Sequence, residues 1–97
     1  MLFEWDEGKD AINRRKHGIS FTTASLVFCD PFSVSRKDDY DGGEERWQII
    51  GHIQGVPMIL VVYTTRDQEG EQKIRIISAR RATAQERREY EDGTWFS

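Results

Sequence analysis

Six consecutive apolar residues, Met58-Ile59-Leu60-Val61-Val62-Tyr63, constrain this chain more than any other feature. A strand apolar on both faces needs cover on both sides, so this run belongs at the centre of a sheet. It is far short of the roughly 20 residues that a bilayer crossing needs, so no membrane role is expected. Turn signals flank it, Gln54-Gly55 before and Asp67 to Gly70 after, and each returns the chain as an antiparallel neighbour. In the preceding strand, Arg46 to Ile53, alternation puts Trp47, Ile49 and Ile53 on one face and Arg46, Gln48 and His52 on the other. The following strand, Lys73 to Arg80, turns Ile74 and Ile76 one way and Arg75 and Ile77 the other. Pairing Met58 to Arg66 with Gln72 to Arg80 sets Arg66 near Lys73 at the turn and Arg80 near Met58 at the far end.

The N-terminal third reads as a short strand and two helices. Leu2 to Trp5 is a strand candidate, and Asp6 caps a helix to about His17, with Gly18 as its left-handed stop. Only Ala11 and Ile12 give that helix apolar content in its middle, so its core-facing stripe is thin. Ser20 or Thr22 caps a second helix in which Phe21, Ala24, Val27 and Phe28 recur at helical spacing, with Pro31 just beyond. Phe32 to Arg36 alternates as a strand, and Lys37 to Glu45 is a loop with five acids and Gly42-Gly43. Near the other end, Thr83-Ala84-Gln85-Glu86 forms a capping box that opens a helix toward Tyr90. Trp95 and Phe96 then need cover, either by folding back onto the core, the favoured reading, or from a partner. The order describes one α+β domain over residues 1–97, with helices gathered against one face of a mainly antiparallel sheet.

Composition narrows the chemistry. The start, Met1 to Glu7, lacks the basic and apolar regions of a signal peptide, and a single cysteine allows no internal disulfide, so a cytoplasmic location is expected. Cys29, between Phe28 and Pro31, is expected to be a packed thiol. No phosphate loop, dinucleotide fingerprint or zinc or calcium motif is present, so no metal or cofactor is expected and catalysis falls to ordinary side chains. Net charge is −3, yet Lys73 to Arg88 carries six basic residues and one acid, or +5, against −8 elsewhere. Such a cationic surface suits a polyanion or an acidic protein partner.

The candidates follow from that asymmetry. His17 and His52 are the groups suited to proton transfer near neutrality. His17 closes the run Arg14-Arg15-Lys16-His17, which exceeds what a helix end requires; the alternative role for that run is to complement the helix dipole. His52, beside a turn, is expected to be a solvated face residue. Arginine donates two parallel hydrogen bonds to phosphate, which singles out Arg66, Arg75 and Arg80; they line a face but do not converge on one spot. Tyr63, Trp47 and Trp5 have rings that stack on bases, although core packing is the commoner use of both tryptophans. Glu45 stands before Arg46 at the mouth of a strand, where it can position the arginine or take a proton.

These residues resemble a known family. Phe3-Glu4-Trp5-Asp6 with Lys9 and Asn13, Arg15-Lys16-His17-Gly18-Ile19-Ser20-Phe21, Phe28-x-Asp30-Pro31, Glu44-Glu45-Arg46 with Gly51, and Arg75-Ile76-Ile77-Ser78-Ala79-Arg80-Arg81-Ala82 with Glu86 and Tyr90 are similar to BrnT toxins. The resemblance implies a RelE-like fold, ribonuclease activity that stops translation, and neutralisation by a BrnA-type antitoxin. The ribbon-helix-helix domain of that antitoxin binds promoter DNA, which the toxin meets only within the complex. The implied reaction is metal-independent attack of an RNA 2′-hydroxyl on the adjacent phosphorus. His17, or failing that Glu45, is then the base, Arg66 and Arg80 stabilise the transition state, and Lys16, Arg46, Tyr63, Arg75 and Arg81 hold RNA. The alternative is a non-catalytic interaction module, such as an inactive toxin descendant, that binds a DNA-binding partner through the basic face. A DNA-binding role of its own is disfavoured by the negative net charge and the lack of a helix-turn-helix.

Overall fold

The computed structural model describes residues 1–38 and 45–95. Along the chain come β1 (Leu2–Glu4), α1 (Glu7–His17), α2 (Phe21–Ser25), a 3-10 turn (Leu26–Cys29), β2 (Val34–Asp38), β3 (Arg46–Ile53), β4 (Val56–Gln68), β5 (Glu71–Arg81) and α3 (Ala84–Asp92). The strands form one sheet in the order β1-β5-β4-β3-β2, antiparallel except for β1, which lies parallel to β5. Most of the loop expected over Lys37 to Glu45, and Phe96 of the tail, lie outside the described residues; Lys37 and Asp38 extend β2.

The apolar run sits in β4 at the sheet centre. The β4–β5 hairpin closes on Glu69 and Gly70, both with positive φ (54° and 80°), as a two-residue turn that follows the sheet twist demands. Its register places Arg66 opposite Lys73 and Arg80 opposite Leu60, two residues from Met58. One bulge interrupts it: Val62 faces Ser78 while Tyr63 faces Ile76, so Ile77 has no partner on β4.

Both sheet faces are covered, which revises the expectation of helices on one face only. Ile49, Ile59, Val61, Tyr63, Ile74, Ile76 and Ala79 pack against Ile19, Phe21, Ala24 and Val27 of the N-terminal helical segment. On the opposite face, Ile50, Met58 and Leu60 pack with Ala82 and Trp95, and Tyr90 of α3 lies against them. Trp95 folds back until it is 1% exposed. Its indole Nε1 donates to the Val34 carbonyl at 3.2 Å, and the Arg36 guanidinium lies 3.4 Å from its ring centroid. The capping box at Thr83 and Glu86 opens α3 as expected, and Gly93, at φ 77°, ends it.

Polar side chains, rather than apolar ones, dock α1. Asp6 caps it through Lys9 N, Gly18 ends it at φ 72°, and its two buried residues are Asp10 and Asn13. Ile12 points outward, 59% exposed. Asp10 Oδ1 accepts from Phe21 N at 2.8 Å and so fixes the start of α2, which Ser20 caps. Asn13 Nδ2 donates to the carbonyls of Ile19 (2.9 Å) and Ala79 (2.8 Å), and Asn13 Oδ1 accepts from Ala79 N at 3.2 Å. Its amide thereby occupies the edge of β5 that β1, ending at Glu4 opposite Arg75, does not reach. Cys29 is exposed rather than packed, because the 3-10 turn buries Val27 completely and ends with its last residue turned outward.

Candidate functional site

Strand alternation sorts the polar residues of the second sheet face into rows. Phe3 packs into the first core cluster, so Glu4, the next residue of β1, points to the opposite face. There the register aligns Glu4 with Arg75 and Arg75 with Thr64, and the adjoining row holds Leu2, Lys73 and Arg66. Arg66 leans across the rows: its Nη2 lies 2.9 Å from Glu4 Oε1 and donates to Oε2 at 3.2 Å. The two side chains are unequally exposed, 62% for Arg66 and 27% for Glu4. Arg75 is exposed, and its charge reaches the N-terminus of α1. The Asp6 carboxyl is held low chiefly by the backbone N–H groups of Lys9 and Gly8, with smaller help from the Lys9 and Arg75 charges.

A second feature lies along the outer edge of β5. A groove of about 200 Å³ opens between α1 and β5, lined by Lys9, Ile12, Asn13, Lys16, His17, Ile77 and Ser78. Ile77, the residue left unpaired by the bulge, contributes its apolar wall opposite Ile12, and Lys9, Lys16 and His17 supply cations or potential cations. His17 therefore lines a concave site next to Lys16, as well as standing beside the helix stop. An eleven-residue helix is about 16 Å long, so α1 sets His17 at the opposite end from the Asp6, Glu4 and Arg75 neighbourhood.

The other candidates lie elsewhere. Arg80 is clamped by Glu86, with bonds of 2.7 and 2.9 Å to the two carboxylate oxygens, and Nη1 also donates to the Arg81 carbonyl at 3.2 Å. This ties β5 to the capping box of α3, since Glu86 also accepts from Thr83 N at 2.8 Å. Arg81 is exposed at the strand end, opposite Ile59. Arg46 stands opposite Asp38, and Glu45 is exposed with its carboxylate 3.5 Å from Lys37 Nζ, across the sheet from β1. Tyr63 is only 7% exposed, on the face covered by the N-terminal helical segment. Its ring meets Phe28 edge-on and its hydroxyl donates to Ser35, so no base reaches it. His52 is exposed, its ring 6.0 Å from that of Tyr90.

The Arg80–Glu86 pair has a consequence for acid stability. Arg80 and the Thr83 N–H hold the Glu86 carboxyl below its ordinary value, with the Arg80 bond the larger cause. A carboxyl depressed by folding stabilises the native state above its unfolded pKa, about 4.3 for glutamate, and that contribution is lost as pH falls through the folded value. Thermal melts as a function of pH are expected to show Glu86→Gln losing less stability than the parent chain below about pH 4. Equal acid slopes in both proteins would mean that the pair contributes nothing to stability.

Sequence reasoning passed over Glu4, Lys9 and Ser78 as site residues. The signal for Glu4 is non-local, because only the parallel β1–β5 pairing brings it to Arg75 and Arg66. Comparison with known proteins now gives this geometry a context. The family model for the ribonuclease toxin BrnT of type II toxin-antitoxin systems matches residues 5–86. Among solved structures, the fold is similar to that of the ribonuclease toxin BrnT of Brucella abortus, with a TM-score of 0.59 at 23% identity, covering 86% of this chain and 99% of that one. No curated protein matches the sequence. With most of its length matched, the chain belongs to the BrnT family of ribonuclease toxins of type II toxin-antitoxin systems.

Proposed function

We propose that this chain is a metal-independent endoribonuclease that cuts single-stranded RNA by attack of a 2′-hydroxyl on the adjacent phosphorus, leaving a cyclic phosphate and a 5′-hydroxyl. The observation that carries this reading is a cationic track along β5. Arg66, Lys73 and Arg75 occupy one end of the sheet face, and Lys9, Lys16 and His17 line the groove at the neighbouring edge. Such a track suits a polyanion longer than one nucleotide. Arg66 is the guanidinium best placed to meet a scissile phosphate, because its side chain is 62% exposed and held by one carboxylate. Arg80, clamped to Glu86, acts mainly by holding α3 to β5.

The same spacing separates the roles of the two ends. A phosphate held at Arg66 lies about a helix length from His17, too far for His17 to take the 2′-hydroxyl proton there. His17 and Lys16 instead receive a flanking phosphate in the groove, while Ile12 and Ile77 offer apolar contact to the sugar. A single-strand contact contributes about 0.7 to the slope of log affinity against log salt. Lys16→Ala is accordingly expected to lower that slope by about 0.7 in fluorescence-anisotropy titrations of a labelled RNA. An unchanged slope removes Lys16 from the RNA path.

In the cell, this activity requires a partner that silences it, and the partner of this reading is a BrnA-type antitoxin that carries the ribbon-helix-helix domain and the promoter contact. Covering the β5 track with an acidic segment would block RNA by occlusion. The reading is tested by incubating the purified, partner-free chain with a defined RNA in EDTA and analysing the product ends. Cleavage that resists EDTA and leaves 5′-hydroxyl ends supports it. Intact RNA, with or without ribosomes, together with no growth arrest on expression, overturns it in favour of an interaction module.

A further inference from the structure

We infer that Glu4 is the general base of the cleavage reaction and that Arg66 is its partner in a two-residue device in which the phosphate itself releases the base. The inference rests on the ribonuclease reading above. Three observations carry it. Glu4 is the carboxylate that touches Arg66, at 2.9 and 3.2 Å, whereas Glu45 faces Lys37 on the other side of the sheet and His17 lies at the far end of α1. Glu4 projects onto the polar face because Phe3 and Trp5 on either side pack with the core of the opposite face. Its Oε1 is shut off from solvent with no hydrogen-bond partner of good geometry, so the ion pair with Arg66 is the contact that meets that oxygen's charge in the free protein.

The chemistry follows from competition for one guanidinium. In the free protein, the Arg66 guanidinium occupies the Glu4 carboxylate, at 2.9 and 3.2 Å from its two oxygens. When a phosphodiester arrives, its non-bridging oxygens draw the exposed Arg66 side chain, which offers them two parallel hydrogen bonds. Glu4 loses its contact with Arg66, while Arg75 stays opposite it on β5, as the ribose 2′-hydroxyl comes within reach. The carboxylate takes the 2′-hydroxyl proton as O2′ forms its bond to phosphorus. The P–O5′ bond breaks, O5′ leaves with the electron pair and is protonated by water, and Glu4 returns its proton to solvent. Arg66 faces the equatorial oxygens, where charge accumulates.

The test compares cleavage of a defined RNA by the parent chain, Glu4→Gln, Glu4→Asp and His17→Ala across pH, with RNA affinity and thermal melting measured for each. Glutamine keeps the size of the side chain and an acceptor for Arg66 but holds no proton of the reaction. Glu4→Gln is expected to cleave about 10²–10⁴-fold more slowly, to lose the acid limb of the pH profile and to bind RNA at least as tightly as the parent. His17→Ala is expected to bind RNA more weakly and to keep the acid limb. The inference is overturned if Glu4→Gln cleaves at the parent rate, or if His17→Ala abolishes the acid limb. Should Glu4→Gln fail to fold, Glu4→Asp decides: one methylene shorter, it must be slower with the acid limb retained, and a parent rate overturns the inference. Failure of the parent chain itself to cut RNA overturns the ribonuclease reading and this inference together, whereas cleavage by the parent and undiminished cleavage by Glu4→Gln overturn this inference alone.

Discussion

Arg66→Ala is expected to slow RNA cleavage by on the order of 10²–10³-fold while leaving thermal stability almost unchanged. The magnitude is that of removing one preorganised donor from a charge-developing transition state, about 2.7–4 kcal/mol. The lack of a stability effect follows from exposure. The Arg66 side chain is 62% open to solvent, so its removal opens the 27% exposed Glu4 carboxylate to water, and an ion pair of that kind contributes between 0 and about 1 kcal/mol. Arg66→Lys keeps the charge but gives up the planar two-bond contact, so its rate should fall between those of the parent and the alanine variant.

The contrast with Arg80 makes the prediction discriminating. Arg80 holds both oxygens of Glu86, and Glu86 in turn caps α3, the helix that precedes the buried Trp95. Arg80→Ala should therefore lower the melting temperature, with any loss of cleavage following the loss of folded protein. Single-turnover cleavage and melting curves on the two alanine variants separate the roles. A lower melting temperature for Arg66→Ala with unchanged cleavage per folded molecule would reverse them.

Much of this arrangement is legible along the chain because it is local. The β4–β5 hairpin follows from an apolar run and a turn with Gly70 at positive φ, and that register alone puts Arg66 beside Lys73. The caps at Asp6, Ser20 and Thr83 are equally local, since each side chain bonds a backbone N–H three residues on. The ribonuclease family was legible for a different reason, through residue blocks whose combination is specific. Three features were not legible, and each depends on a contact distant in sequence. Tyr63 looks available to a base until β4 takes its place at the centre and turns that residue toward Phe28. For Trp95 the fold-back was legible, but not that it crosses to the second face, which no periodicity in a short tail announces. Glu4 becomes a site residue only when β1 aligns with β5, about 70 residues on, a pairing with no turn to mark it. The thin apolar stripe of α1 was visible, but not its compensation: a helix docked by Asp10 and Asn13 leaves no hydrophobic pattern.

That docking predicts a large stability effect. Asn13→Ala is expected to destabilise the fold by on the order of 3–5 kcal/mol, a large part of the 5–15 kcal/mol typical of a domain. Asn13 is 6% exposed and satisfies three backbone groups at once, the carbonyls of Ile19 and Ala79 and the N–H of Ala79. Alanine leaves all three without their side-chain partner at a position that is 6% exposed, and each orphaned group costs about 1–3 kcal/mol. Asn13→Asp should be no better. It keeps an acceptor for Ala79 N but sets a carboxylate against two carbonyl oxygens, one turn from the carboxylate of Asp10. The loss has a second expression, because Asn13 occupies the β5 edge at Ala79 and its removal exposes a strand edge that can pair with another copy. Urea unfolding should show a lower midpoint with little change in slope, and light scattering should show association at concentrations where the parent chain does not associate. A shift below about 1 kcal/mol would mean that water replaces the amide at the β5 edge, and that α1 is held chiefly by Asp10 and its bond to Phe21.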